Sequence, residues 1–291
     1  GVITPNTSVN DPGSIQVGPH RMKNYNGAGN GVIDVAGILR VSSNVGMIQL
    51  MQNLSRDDYY DRLQSLRLTK PTGIDLPGEV TGTLKSREKF TASPVEAAVN
   101  SFGQGLTVTP IKLVQLHGAI ANGGTLVEPH LVRGLFNSQG EPQTVTPKAE
   151  IPNSAQQLAA TTTASENPQI FSPAVARTVL DMMETVVDDG SGEKSKIAGY
   201  RIGGKTGTAQ KARNGQYIPG AYITSFVSIF PIDNPRYVVF AAADEPTEPN
   251  SFGGTVAAPV VHDVLQALIV REKIPPTGPT VVPEDSTETS P

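Results

Sequence analysis

The sequence predicts an α/β (α+β) domain in which an antiparallel sheet is covered by helices on both faces. Three observations point there. Residues 201–230 read as a long hairpin through Asn214-Gly215. Its second strand is largely apolar on both sides, with Ala221, Ile223, Val227 and Ile229 on one and Tyr222, Phe226 and Phe230 on the other. A strand of that kind is central and covered twice. Apolar helical patterns also lie on both sides of it in the sequence, for instance at 172–187 and 254–270.

Taken in order, residues 1–30 are rich in Gly, Asn and Pro and read as loops with short extended pieces. IDVAGILRV (33–41) and VGMIQLMQNL (45–54) are apolar helical stretches. Ser42-Ser43-Asn44 interrupts them as a turn, with Ser43 or Asn44 capping the second helix. DDYYDRLQSLRL (57–68) reads as a charged surface helix, and TGIDLPGEVTG (72–82) as loop. Helices are expected at 94–101 and 110–121, with Pro94 and Pro110 in their first turns. Residues 137–170 read as a mobile polar insertion. Ser172-Pro173 opens an amphipathic helix whose apolar face is Val175, Val179, Leu180, Met183 and Val187. After the hairpin come a third strand at 236–243 and a helix at 254–270. The Pro-, Ser- and Thr-rich end reads as a disordered tail.

The bulk properties narrow the function. The 291 residues carry a net charge of −4, with no basic stripe interleaved with aromatics, so nucleic acid is not an expected partner. There is no cysteine, which excludes cysteine nucleophiles, cysteine-ligated zinc and disulfides. No uninterrupted apolar run approaches the ~20 residues that span a bilayer. His20, His117, His130 and His262 are scattered, without the spacing of a metal site, and no cofactor or metal is implied.

GYRIGGKTGTAQ (199–210) admits two readings. Gly199, Gly204, Lys205 and Thr206 satisfy the phosphate-binding pattern G-x-x-x-x-G-K-[ST]. That loop needs a strand before it and a helix after it. Here a helix and a polar loop precede it, and strand-like alternation follows. Lys205-Thr206-Gly207 is also a K-T-G motif, which suits a strand. The lysine supplies positive charge, the threonine hydroxyls can bind a carboxylate, and glycine admits close approach of another backbone. Ser42-Ser43-Asn44 supplies the companion S-x-N upstream.

With these motifs, and with TGIDLPGE (72–79), SFGQGLTVTP (101–110), AIANGG (119–124) and FGGTVAAPV (252–260), the sequence resembles the transpeptidase domain of class B penicillin-binding proteins. The wording of FGQGLTVTP and TGIDLPGE is most similar to the septal, cell-division branch. The resemblance implies the penicillin-binding protein/serine β-lactamase-like fold over residues 1–272, with 137–170 as a variable insertion and 273–291 as tail. It implies a peptidoglycan D,D-transpeptidase acting through an acyl-serine, with stem peptides as substrates and β-lactams as inhibitors. Other cell-division proteins are implied partners. The implied location is the outer face of the bacterial cytoplasmic membrane, behind an N-terminal anchor. Rival readings are a β-lactam sensor or serine β-lactamase of the same fold, and a non-catalytic peptidoglycan-binding domain.

By that resemblance Ser42 relays a proton, Asn44 holds the acyl-donor peptide, and Lys205 supplies electrostatics. Thr206 and Thr208 bind the terminal carboxylate, with the Thr208 N–H in the oxyanion hole, and Gly207 clears the strand for substrate. The nucleophile should lie in an S-x-x-K that precedes S-x-N. Two S-x-x-K matches occur, Ser86–Lys89 and Ser191–Lys194, and both follow it. The expected nucleophile therefore lies upstream of residue 1, in a missing N-terminal segment of the same protein. This chain alone should then be inactive, with an unpaired sheet edge.

Overall fold

The computed structural model describes residues 3–132, 134–139, 141–143, 167–213, 216–248 and 250–277. The Asn214-Gly215 turn, most of the 137–170 insertion and the tail beyond 277 lie outside the described residues. The chain divides into two compact units, Gly1–Ile38 with Ser43–Val179, and Leu39–Ser42 with Leu180–Pro291.

The first unit opens with two small antiparallel ladders. Strand β1 (Ser8–Asp11) pairs with β4 (Gly31–Asp34), and β2 (Ser14–Val17) pairs with β3 (His20–Lys23). The expected helix at 33–41 is shorter. Val32 and Ile33 extend β4, as β-branched residues favour, and helix α1 (Val35–Val41) begins after Asp34, whose carboxylate accepts from the Gly37 N–H at 2.7 Å. Helix α2 (Asn44–Met51) is capped by Ser43, whose Oγ accepts from the Gly46 N–H at 2.8 Å.

Ser43 also donates to Asp11 Oδ2 at 2.6 Å. Asp11 is fully buried and accepts from the Gly13 N–H, Asn24 Nδ2 and Asn30 Nδ2 as well. Asn24 Oδ1 in turn accepts from the Val45 N–H at 3.1 Å. One carboxylate thus ties β1, the loops at 24–30 and the start of α2 together. Ser43→Ala loses both the cap and a bond to a charged group. It should cost about 1–2 kcal/mol of unfolding free energy, read from denaturant melts.

Helix α3 (Arg56–Ser65) is not wholly a surface helix, because Tyr60 and Leu63 are buried. They meet a short helix the sequence reading missed, α4 (Arg87–Ala92). Its one buried residue, Phe90, lies edge-on to the Tyr60 ring at 5.3 Å. Helices α5 (Pro94–Ser101) and α6 (Pro110–Ala121) lie where expected, each with proline in its first turn, capped by Ser93 and Thr109. Ile48, Met51, Leu63, Phe90, Ala97 and Leu116 form this unit's core. A two-residue ladder joins β5 (Leu135–Phe136) and β6 (Pro142–Gln143).

Helix α7 (Pro173–Asp188) carries its buried stripe at Ala176, Leu180, Met183, Val186 and Val187. Val175, expected on that face, is half exposed; the register of the stripe falls on Ala176 instead. The second unit, which α7 enters at Leu180, is built on a three-stranded antiparallel sheet in the order β7-β8-β9. These strands span Gly203–Arg213, Gln216–Phe230 and Tyr237–Asp244. Strand β8 is central as expected, and Phe226–Phe230 is buried on both faces. Tyr222 and Ile223, nearer the turn, are exposed. A π-helical turn (Gly253–Ala257) leads into α8 (Ala258–Glu272). The run Gly253–Glu272 is long and apolar enough to cross a bilayer by length and composition. Here its Ala258, Val261 and Leu265 pack with Phe226 and Phe230 in the core of this unit. Of the expected tail, Ile274 is buried, its carbonyl accepts from the Tyr200 hydroxyl at 3.0 Å, and the Thr277 N–H donates to Gly199 O at 2.9 Å.

Candidate active site

The two readings of Lys205 separate on local geometry. Gly204, Lys205 and Thr206 lie inside β7, and the chain returns antiparallel as β8, with Lys205 opposite Val227. No helix follows to present its N-terminal N–H groups to a phosphate. Gly204 has a packing reason instead: a Cβ there would fall 2.3 Å from the Phe226 ring. The phosphate-loop pattern is a coincidence of a strand packed on an aromatic ring.

Within the second unit, β7 delivers Lys205 to the end of α1. Lys205 Nζ donates to Ser42 Oγ at 2.7 Å, to Thr206 O at 3.0 Å and to Thr206 Oγ1 at 3.4 Å. Three acceptors suit the three hydrogens of an ammonium. Burial nevertheless disfavours the charge and brings the Lys205 pKa down to about 8.

Ser42 sits in the left-handed region with φ +57°. That conformation is uncommon for serine and costs about 1 kcal/mol or more unless its surroundings impose it. The turn hydrogen bond from the Ser42 N–H to Leu39 O, at 3.2 Å, holds it there. The bland explanation of Ser42-Ser43-Asn44, a helix cap, is therefore met by Ser43 alone. Ser42 is left to face the lysine.

Asn44 opens α2 in the first unit, where its Nδ2 donates to Lys23 O at 3.0 Å. Ser42, Lys205 and Thr206 form one hydrogen-bonded group in the second unit. Thr208 lies two residues along β7 from Thr206, and its Oγ1 accepts from the Gly253 N–H at 3.3 Å. Gly207 has a close neighbour of its own: a Cβ there would lie 2.5 Å from Ser225 Oγ on β8. Gly253, whose own Cβ would lie 2.6 Å from Gly207 O, approaches it too. A side chain at 207 would have to displace the Ser225 hydroxyl, and one at 253 would meet the Gly207 backbone.

Neither S-x-x-K within the chain has the form of a nucleophile and base. Ser86 and Lys89 are both exposed, at the start of α4. Lys194 is exposed in the 3₁₀ turn Glu193–Ser195. Ser191 has a different neighbour, which sequence spacing gave no sign of: its Oγ lies 2.9 Å from Thr206 Oγ1.

Of the other matching segments, AIANGG covers the end of α6 and FGGTVAAPV the π-helical turn and the start of α8, while TGIDLPGE is a loop. Glu79 accepts from the Thr72 N–H at 2.6 Å and from the Thr72 hydroxyl at 2.7 Å, closing TGIDLPGE on itself. Asp75 accepts from the Leu131 and Val132 N–H groups, each at 2.7 Å. Those bonds hold the Asp75 carboxyl below its usual pKa. Gly103 and Gly105, both with positive φ, form the turn after α5.

The family model described as "Penicillin binding protein transpeptidase domain" matches residues 1–266. A peptidoglycan D,D-transpeptidase FtsI homolog of Mesostigma viride is 41% identical over 255 residues, covering 87% of this chain and 42% of that protein. Stage V sporulation protein D of Bacillus subtilis is 34% identical, covering 92% of this chain and 38% of that protein. The apo transpeptidase domain of Burkholderia pseudomallei penicillin-binding protein 3 superposes with a TM-score of 0.78 at 29% identity, covering 95% of this chain and 76% of that one. The ampicillin complex of penicillin-binding protein 3 from Mycobacterium tuberculosis also gives 0.78 at 29% identity, covering 96% of this chain and 60% of that one. The chain thus spans about two fifths of the length of these two curated relatives. A family model matched over nine tenths of the sequence, and a fold shared with solved transpeptidase domains, place this chain in the penicillin-binding protein transpeptidase family.

Proposed function

We propose that residues 1–272 form the substrate-binding and proton-relay part of a peptidoglycan D,D-transpeptidase of the septal branch. The observation that carries this is the 2.7 Å bond from Lys205 Nζ to the Oγ of Ser42, whose backbone lies in the left-handed region. A cation on that hydroxyl makes it a better proton donor, which suits delivery of a proton to a departing amine. A serine outside this chain attacks the penultimate D-Ala carbonyl of a stem peptide, and its proton passes to its neighbouring lysine. Ser42 relays that proton to the terminal D-Ala, which leaves as an amine. A neighbouring stem's amine then attacks the acyl-serine ester and releases the enzyme.

Thr206 and Thr208 bind the terminal carboxylate, Asn44 holds the donor peptide, and the Thr208 N–H stabilises the oxyanion. β-Lactams acylate the same serine. The exposed lysines of both internal S-x-x-K matches support an external nucleophile, because a solvated lysine stays protonated and is a poor base. The name of the FtsI homolog supports the branch, and an enzyme acting on peptidoglycan would work outside the cytoplasmic membrane.

The test is intact-protein mass after incubation with a penicillin. The full-length protein should gain one penicillin mass, and residues 1–291 alone should gain none. Stoichiometric acylation of the short chain would place the nucleophile within it and overturn the assignment.

The Lys205 charge also sets a pH dependence. Its pKa of about 8 means the ammonium is present below that value and is lost as pH rises through it. Acylation should therefore fall on the alkaline side with an apparent pKa near 8, and Lys205→Arg should remove that limb. A flat profile between roughly pH 7 and pH 9.5 would rule out a role for the charge. The folded state also binds fewer protons than the unfolded chain between about 8 and the usual lysine value of 10.5, so this group's contribution to stability rises with pH across that window.

A further inference from the structure

We infer that Ser191 is a positioning residue that aims the Thr206 hydroxyl hydrogen at the substrate carboxylate. The inference rests on the reading just given and adds a residue to it. Ser191 follows the end of α7 and is partly buried in a tightly held loop. Its N–H donates to Arg40 O at 3.1 Å, on the segment that ends at Ser42. Its carbonyl faces Gly254, where an added Cβ would lie 2.1 Å away. The next residue, Gly192, lies against Phe226 so closely that a Cβ would sit 2.7 Å from the ring. These contacts hold the Ser191 backbone in place, and its Oγ lies 2.9 Å from Thr206 Oγ1.

Either hydroxyl can donate in that pair, and we assign the donor role to Ser191. Lys205 Nζ lies 3.4 Å from Thr206 Oγ1 and directs a hydrogen at it. A hydroxyl beside a cation turns its lone pairs inward and its hydrogen away. With Ser191 donating as well, both lone pairs of Thr206 Oγ1 are engaged and its hydrogen is free for an anion. Without Ser191, the Thr206 hydroxyl can rotate its hydrogen into the vacated direction, and part of the carboxylate bond is lost.

The test uses stopped-flow acylation of the full-length protein, which separates the encounter constant from the acylation rate constant. Ser191→Ala should weaken the encounter with a penicillin roughly three- to tenfold, the range expected of one oriented hydrogen bond. Ser191→Thr, which keeps the hydroxyl, should restore it. The penicillin methyl ester, lacking the carboxylate, should bind wild type and Ser191→Ala alike. In a Thr206→Val background, Ser191→Ala should have no further effect. Equal losses for acid and ester, or additive losses with Thr206→Val, would mean a merely structural role and overturn the inference. So would an unchanged encounter constant in Ser191→Ala, or an adduct on Ser191 itself, found by peptide mapping. If the wild-type full-length protein is not acylated at all, the transpeptidase reading falls and this inference falls with it.

Discussion

Lys205→Ala in the full-length protein should lower the rate of penicillin acylation by about 100-fold or more, the scale on which a preorganised electrostatic group acts in a closed site. Its effect on folding should be small. The ammonium is held at a desolvation cost, as its lowered pKa shows, so its loss removes a penalty along with three hydrogen bonds. The acceptors left behind, Ser42 Oγ and Thr206 O, belong to partly exposed residues that water can reach. A mass-spectrometric time course beside a thermal melt separates the two effects. Near-normal acylation with an unchanged melt would remove Lys205 from the chemistry.

The largest effect on stability is expected at Asp11. Burial alone would raise its pKa, yet hydrogen bonds from Ser43, Asn30, Gly13 and Asn24 outweigh that and hold it below the usual value. Asp11→Ala leaves several buried donors without an acceptor, each costing about 1–3 kcal/mol. Denaturant melts should register a loss of about 3–5 kcal/mol, since the charge-assisted bonds go together. Asp11→Asn should also destabilise, because its amide would turn two hydrogens toward donors. The sign with pH is fixed. A carboxylate with a depressed folded pKa contributes fully above its unfolded value of 3.8, and that contribution is lost as pH falls through the folded value. Both variants should therefore lose less stability than wild type on acidification. A loss below about 1 kcal/mol at neutral pH would show that the network is not a keystone.

Asp11 also marks where sequence reading stopped. Helices α5, α6 and α7 and the strands β7 to β9 were legible because proline, capping residues and side-chain period mark them locally. The strands before residue 35 were legible only as short extended pieces among loops, since each is four residues long and too short to display a period. Helix α4 was hidden for the same reason, with a single buried residue among charges.

The motifs behaved likewise. S-x-N and K-T-G could be found by spelling, and the fold class followed from the apolar period of β8 and the helices flanking it in sequence. Spelling could not say which serine of Ser42-Ser43-Asn44 caps the helix. It could not show that Gly204 answers to Phe226 and Gly207 to Ser225. Nor could it bring Ser191 to Thr206 across fifteen residues of chain. By itself the sequence determined the elements with a local period, and the family. Only the tertiary structure decided which hydroxyl faces the lysine, because hydrogen-bond direction and burial are set by side chains that meet from distant positions.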